Sequence, residues 1–98
     1  MAVTTLNEAS TLVLPTSLDI AGSRDLQAAL RPLLDSQDVA HLDASKVERV
    51  DAAGLQLLTA FVRRARSAEV SVVWRGVSAE LKAAAAMTGL TFHLGLEA

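Results

Sequence analysis

The residues best placed to do chemistry are Asp51-Ala52-Ala53-Gly54, hereafter the junction. A strand-like segment ends at Val50, and an apolar repeat typical of a helix follows the junction. An aspartate at such a position can accept hydrogen bonds from the free N–H groups of the helix start, where negative charge is also favoured. A strand that leads through small residues into a helix is also suited to binding an anion or carrying a phosphate. Asp51 is therefore either a structural cap or part of a functional site.

The remaining polar residues give weaker signals. Asp19 lies in a loop, where a solvated turn residue is expected, and Asp43 ends a predicted strand, where it could cap a turn at Ser45. His41 and His93 have no second ligand at helical or hairpin spacing, so a metal site is not expected. The sequence has no cysteine, no nucleophile-elbow serine and no glycine-rich phosphate loop. It therefore predicts neither an enzyme nor a cofactor.

Composition indicates a small folded protein. The 98 residues predict a single domain over residues 1–98, and an apolar fraction of 51% excludes general disorder. A net charge of −2 gives no attraction to nucleic acid or to an anionic membrane. Residues 1–10 do not resemble a signal peptide, and no apolar run reaches the roughly 18–20 residues of a membrane span. We expect a soluble, cytoplasmic protein.

Alternation of strand and helix patterns predicts an α/β fold, with a mixed, mostly parallel sheet, an N-terminal hairpin and three to four packed helices. The first expected elements are a hairpin over residues 3–14 with its turn at 8–10, a helix capped by Ser23, and a strand over 39–43. A short segment over 47–50 and a helix over 53–67 follow. The last three are a strand over 70–75 bounded by Gly76, a helix from the Ser78 cap to Gly89, and a strand over 90–94.

The helix after the junction carries an apolar stripe made of Leu55, Leu58, Val62 and Ala65. Leu57 and Phe61 widen that stripe, either as deeper core residues or as partner contacts. Arg63, Arg64, Arg66 and, further along, Arg75 form either a modest basic patch or an ordinary solvated face.

The sequence around the junction resembles the signature of STAS domains, the anti-sigma factor antagonist family. That signature is an apolar strand ending in Asp-Leu-Ser, a short gap, and then Asp-Ser-Ser/Thr-Gly-Leu-x-x-Leu. The matching residues here are Leu42-Asp43-Ala44-Ser45, Val47, and Val50-Asp51-Ala52-Ala53-Gly54-Leu55-Gln56-Leu57-Leu58. Ser17-Leu18-Asp19 also stands where the family has Gly-Glu-Leu-Asp, so the resemblance extends over nearly the whole chain.

The resemblance implies a switch that this chain lacks. In regulatory STAS domains a partner kinase phosphorylates the Ser or Thr directly before the glycine, which adds negative charge and breaks the complex. That position is Ala53 here, and the preceding position, often also Ser or Thr, is Ala52. Neither alanine can accept a phosphate, so phosphorylation is not expected at the family site.

A protein-binding surface is what the resemblance still implies. We expect it to include the Asp19 loop, the junction and the exposed side of the following helix; the candidate residues are Asp19, Asp51, Ala52, Ala53, Gly54, Gln56, Leu57 and Phe61. The first hypothesis is a non-catalytic adaptor in bacterial signal transduction, linked to chemotaxis or to a histidine kinase, that binds a kinase-like or receptor partner constitutively.

Two other functions stay open. The second hypothesis is the STAS subunit of an Mla-type phospholipid-transport ABC complex, which would dock on the ATPase subunit. The third is binding of a nucleotide or another anion at the helix start, which we rank last because Arg49 is the only basic residue beside Asp51. The sequence does not name the partner or decide whether the chain dimerises.

Overall fold

A computed structural model describes residues 6–7, 11–36 and 39–96. Its elements are β1 (Leu6–Asn7), β2 (Thr11–Val13), β3 (Ser17–Leu18), α1 (Ser23–Ser36), β4 (Val39–Ala44), β5 (Arg49–Val50), α2 (Ala52–Ser67), β6 (Ser71–Val77), α3 (Ala79–Thr88) and α4 (Thr91–Leu94). The chain is therefore the mixed α/β protein that the sequence predicts, with four helices in its described part.

The strands form two sheets. The larger sheet has the order β1-β2-β4-β6, and the smaller one pairs β3 with β5. Among the strands that the structure describes, β1 and β2 alone pair antiparallel, which confirms the N-terminal hairpin. Its predicted turn at residues 8–10 and residues 3–5 lie outside the described residues. The other pairs are parallel, as expected when helices connect successive strands. The mostly parallel sheet is confirmed.

The core consists mainly of Leu, Val and Ala side chains between the helices and the larger sheet, together with Phe61. The α2 stripe is buried as predicted, and Leu26, Leu30 and Leu33 bury the matching face of α1. Ala40, Leu42 and Ala44 contribute one face of β4, which alternates buried and more exposed positions. The few aromatic residues explain why the core is built from aliphatic side chains.

The predicted strand over residues 90–94 is wrong, because this segment is the short helix α4. Gly89 and Gly95 are both left-handed, with φ of 75° and 74°, and they end α3 and α4 respectively. The N–H of Leu94 donates to the carbonyl of Leu90 at 2.9 Å, which closes a helical turn. The indole N–H of Trp74 donates to the Leu94 carbonyl at 2.8 Å and fixes α4 against β6.

The boundaries predicted at Ser23 and Gly76 also differ from the observed ones. Ser23 is the first residue of α1 and not its cap, because its hydroxyl donates to the Ile20 carbonyl at 2.9 Å and accepts no N–H of the helix. Gly76 does not end β6, which continues to Val77. A bulge explains the extension: Leu42 pairs with Trp74 and Asp43 with Gly76, which leaves Arg75 as the extra residue.

Ser78 and Gly89 bound α3 as the sequence predicts. The Ser78 hydroxyl accepts the N–H of Leu81 at 3.1 Å, and Gly89 forms the left-handed C-cap. Within the described ranges, no helix is both long enough and apolar enough to cross a membrane.

Candidate functional site

The junction is built around the carboxylate of Asp51. One oxygen, Oδ1, accepts the N–H of Gly54 at 2.9 Å, so Asp51 is the N-cap of α2. The other oxygen, Oδ2, accepts the N–H of Ile20 at 3.3 Å, in the loop between β3 and α1. The predicted cap is confirmed, and the same carboxylate also joins α2 to a loop 31 residues earlier in the chain.

Close backbone packing holds the junction against β3. The N–H of Asp51 donates to the Leu18 carbonyl at 2.9 Å. Gly54 faces the same Leu18 backbone, and a Cβ at position 54 would lie 2.8 Å from the Leu18 Cβ and closer still to the Leu18 carbonyl. Glycine is therefore required at this position for steric reasons, since contacts this short do not occur in folded proteins.

Asp19 shapes the loop beside the junction. Its Oδ1 accepts the N–H of Gly22 at 3.0 Å, which closes an Asx-type turn immediately before α1. The next residue, Ile20, is 73% exposed. The loop thus presents an apolar side chain to solvent beside the start of α2.

The two alanines of the junction give this surface little chemistry of its own. Ala52 is exposed and Ala53 is half-buried, and neither carries a group that could accept a phosphate. The helix start offers positive potential, but the Asp51 carboxylate already occupies it and takes the Gly54 N–H. The site is therefore suited to contact with another surface.

Asp43 and Ser45 form a second compact turn, at the end of β4. The Asp43 carboxylate accepts the Ser45 hydroxyl at 2.6 Å and the Ser45 N–H at 2.9 Å, as the sequence predicts for a turn cap. These bonds, the hydroxyl first, hold the pKa of Asp43 below its ordinary value. Gly76 lies directly beside this turn, where a Cβ would be 3.2 Å from the Ser45 Cβ.

Comparison with known families identifies the chain. A family model described as "Mlab, STAS domain" matches residues 1–95. The chain belongs to the STAS domain family. No curated protein matches it. STAS domains are generally non-catalytic interaction modules, and the junction carries the Asp–x–x–Gly pattern through which this sequence resembles them.

The structure brings together most of the predicted STAS surface. Asp51 bonds to Ile20, the residue after Asp19, and Gln56 is exposed one turn into α2. Leu57 is half-buried, whereas Phe61 is only 5% exposed and belongs to the core. Of the two alternatives for Phe61, core packing is the one observed: the residue does not lie on the exposed side of α2, because the helix turns this position towards α1.

Sequence reasoning missed Ile20. Periodicity identifies apolar residues of helices and strands, whereas Ile20 lies in a loop that has no period. The available signal was one large apolar residue among polar and small neighbours. His41 and His93 lie in β4 and α4, and no group of three or more potential metal ligands occurs in the part of the chain that the structure describes.

Proposed function

We propose that this STAS domain is a non-catalytic docking module that binds a protein partner constitutively through its junction face. The junction face comprises Asp19, Ile20, Ala52, Ala53 and Gln56. The observation that carries the proposal is that an Asp51-capped helix start lies beside the exposed Ile20, while both possible acceptor positions are alanine. Such a surface can bind a partner through apolar contacts and shape complementarity. It has no hydroxyl whose phosphorylation could disrupt the complex.

The ATPase subunit of a phospholipid-transport ABC complex is the partner class that we favour. The description of the matching family model supports this choice, because it names the Mla-type STAS protein. In this role the chain would be a cytoplasmic accessory subunit of the transporter.

The direct test is Ala53→Asp, which puts negative charge where the family carries its phosphate. If the junction face binds the ATPase subunit, we expect affinity to fall about tenfold or more, because a charge would be desolvated without a partner. Ala83→Asp on α3 is the control, since Ala83 is an exposed alanine on another helix and the charge change is the same. Equal affinities for the two variants in calorimetric titration would contradict docking at the junction.

A signalling adaptor is the second candidate, supported by the close match of residues 42–58 to the anti-sigma factor antagonist signature. Ala53→Ser separates it from transport, because this change restores the family acceptor. If a kinase-like partner is the physiological one, the purified kinase with ATP should phosphorylate Ala53→Ser and leave the wild-type junction unmodified. Copurification with an ABC ATPase and no phosphate on Ala53→Ser would favour transport.

A further inference from the structure

A groove between α1 and α2 forms a second surface, distinct from the junction face. Its volume is about 390 Å³, and it is open to solvent on one side. Leu30 and Phe61 are buried at its floor, and the half-buried Leu34 and Leu57 lie along it. Ala60 of α2 also lines the groove, and its small side chain leaves the space between the helices unfilled.

Arginines from both helices border this α1–α2 groove. Arg31 of α1 and Arg64 of α2 line it, and both are exposed. Asp35 is the only acidic residue among the lining residues, so the lining carries two positive charges and one negative charge. The whole chain has a net charge of −2, so the lining of the groove differs in sign from the chain as a whole.

We infer that the α1–α2 groove binds an acidic amphipathic helix of a partner protein. The groove extends along α1 from residue 27 to 35 and along α2 from 57 to 68. At 1.5 Å per residue these stretches measure about 12 Å and 16 Å, the length of a helix of two to three turns. Apolar side chains at i, i+3, i+4 and i+7 of such a helix would cover Leu34 and Leu57.

Charge and shape favour a helix over the other occupants. Glutamates or aspartates on the flanks of the helix would face Arg31 and Arg64 on opposite sides of the groove, whereas a basic helix would be repelled. An acyl chain would leave much of its surface in water, since small-molecule sites normally enclose most of their ligand and this groove is open. Binding of a helix in the groove requires no contact with the junction face, so the inference does not depend on the proposed docking at that face.

The experiment uses a designed probe and the intact chain. The probe is a fluorescein-labelled helical peptide of roughly 12 residues, with leucines at i, i+3, i+4 and i+7 and glutamates on both flanks. A second peptide carries lysines in place of the glutamates. We expect fluorescence anisotropy to show binding of the acidic peptide at concentrations below about 100 µM, and at least about tenfold weaker binding of the basic one.

Paired variants locate the binding. Arg64→Glu should weaken binding of the acidic peptide about fivefold, whereas Arg63→Glu, adjacent and exposed but outside the groove lining, should have a much smaller effect. Ala60→Trp should fill the groove and reduce binding about tenfold, whereas Ala83→Trp on α3 should not. Ala53→Asp should bind the peptide with the same affinity as wild type. Loss of peptide binding at the groove can therefore be distinguished from loss of partner binding at the junction face.

Three results would overturn the inference. The first is equal binding of the acidic and basic peptides, or no binding of either. The second is an equal effect of Arg63→Glu and Arg64→Glu. The third is binding of dodecanoate that Ala60→Trp abolishes, in the absence of peptide binding, which would make the groove a site for an anionic lipid.

Discussion

Gly54 lies so close to the Leu18 backbone that no side chain fits between them. A Cβ on residue 54 would lie 2.8 Å from the Leu18 Cβ and nearer to the Leu18 carbonyl oxygen. That oxygen also accepts the Asp51 N–H, so it cannot move without breaking a hydrogen bond of the junction. The glycine of the family signature thus allows α2 to start directly against β3.

Gly54→Ala should therefore destabilise the fold by about 1–3 kcal/mol, the usual cost of overpacking a close contact. Urea unfolding followed by circular dichroism measures this change in the free energy of unfolding. The control is Gly22→Ala, where the nearest side-chain atom is 3.6 Å from the added Cβ and the cost should be below about 1 kcal/mol. Similar losses for the two variants would show that steric exclusion at Leu18 is not the cause.

The two oxygens of Asp51 can be tested separately. Asp51→Ala removes the cap of α2 and the link to Ile20, and it should cost about 1–2 kcal/mol in urea unfolding. Asp51→Asn keeps one oxygen, which can cap Gly54, but its amide nitrogen cannot accept the Ile20 N–H. This variant should be nearly as stable as wild type, with faster amide hydrogen exchange in the loop over residues 19–22.

Ser78→Ala is the control for Asp51, since it removes the equivalent cap of α3 and leaves the loop untouched. We expect a similar stability loss of about 1 kcal/mol without faster exchange in residues 19–22. Unchanged loop exchange in Asp51→Asn would mean that the bond to Ile20 does not order the loop.

Ile20 should be an energetically important contact of the junction face. If the proposed ABC ATPase subunit binds the junction face, Ile20→Ser should weaken that binding about tenfold, because it removes the large exposed apolar side chain beside the α2 start. Met87→Ser is the control, because Met87 is another exposed apolar residue and lies on α3. Both variants should have the same midpoint of urea unfolding as wild type. If the two variants lose affinity equally, or if neither loses affinity, the partner binds to a surface other than the junction face.

Local signals explain which features the sequence predicts. The Asp51 cap, the α2 stripe and the Asp43 turn each depend on residues within a few positions, so their patterns are visible in the chain. The segment over residues 90–94 is too short for its hydrophobic periodicity to distinguish a helix from a strand. In the structure this helix ends at the left-handed Gly95, and its Leu94 carbonyl is bonded by the distant Trp74, 20 residues away.

Contacts between distant segments account for the other differences. Ser23 has the residue type of an N-cap, but its hydroxyl is taken by the Ile20 carbonyl and the preceding turn is closed by Asp19. Phe61 widens the α2 stripe in sequence, yet only the position of α1 decides that it is buried. The exposure of Ile20 likewise depends on how its loop is held by Asp51.

Substitution of Trp74 tests how α4 is held against β6. Trp74→Phe removes the indole donor and leaves the Leu94 carbonyl without this bond, which should cost about 1 kcal/mol in urea unfolding. Hydrogen exchange of the amides in residues 94–96 should become faster. Phe92→Leu is the control, because Phe92 is exposed on α4 and should change stability by less than about 0.5 kcal/mol. Unchanged exchange in Trp74→Phe would show that α4 is held by other contacts.

The Asp43–Ser45 turn should make stability depend on pH in the acidic range. The pKa of Asp43 in the folded state is held below its ordinary value of 3.8, mainly by the Ser45 hydroxyl. A carboxyl with a lowered folded-state pKa stabilises the fold above its unfolded-state pKa, and this stabilisation is lost as the pH falls through the folded-state value. Ser45→Ala should therefore lose stability at neutral pH, and its difference from wild type should shrink below the ordinary carboxyl range.

The effect should stay below about 1 kcal/mol, because Asp43 is in contact with solvent. Urea unfolding of wild type and Ser45→Ala at a series of pH values from neutral to strongly acidic measures it. Ser71→Ala is the control, since Ser71 is exposed on β6 and its removal should have the same small effect at every pH. A difference between Ser45→Ala and wild type that is constant with pH would mean that the serine contributes by packing beside Gly76 and not through the charge of Asp43.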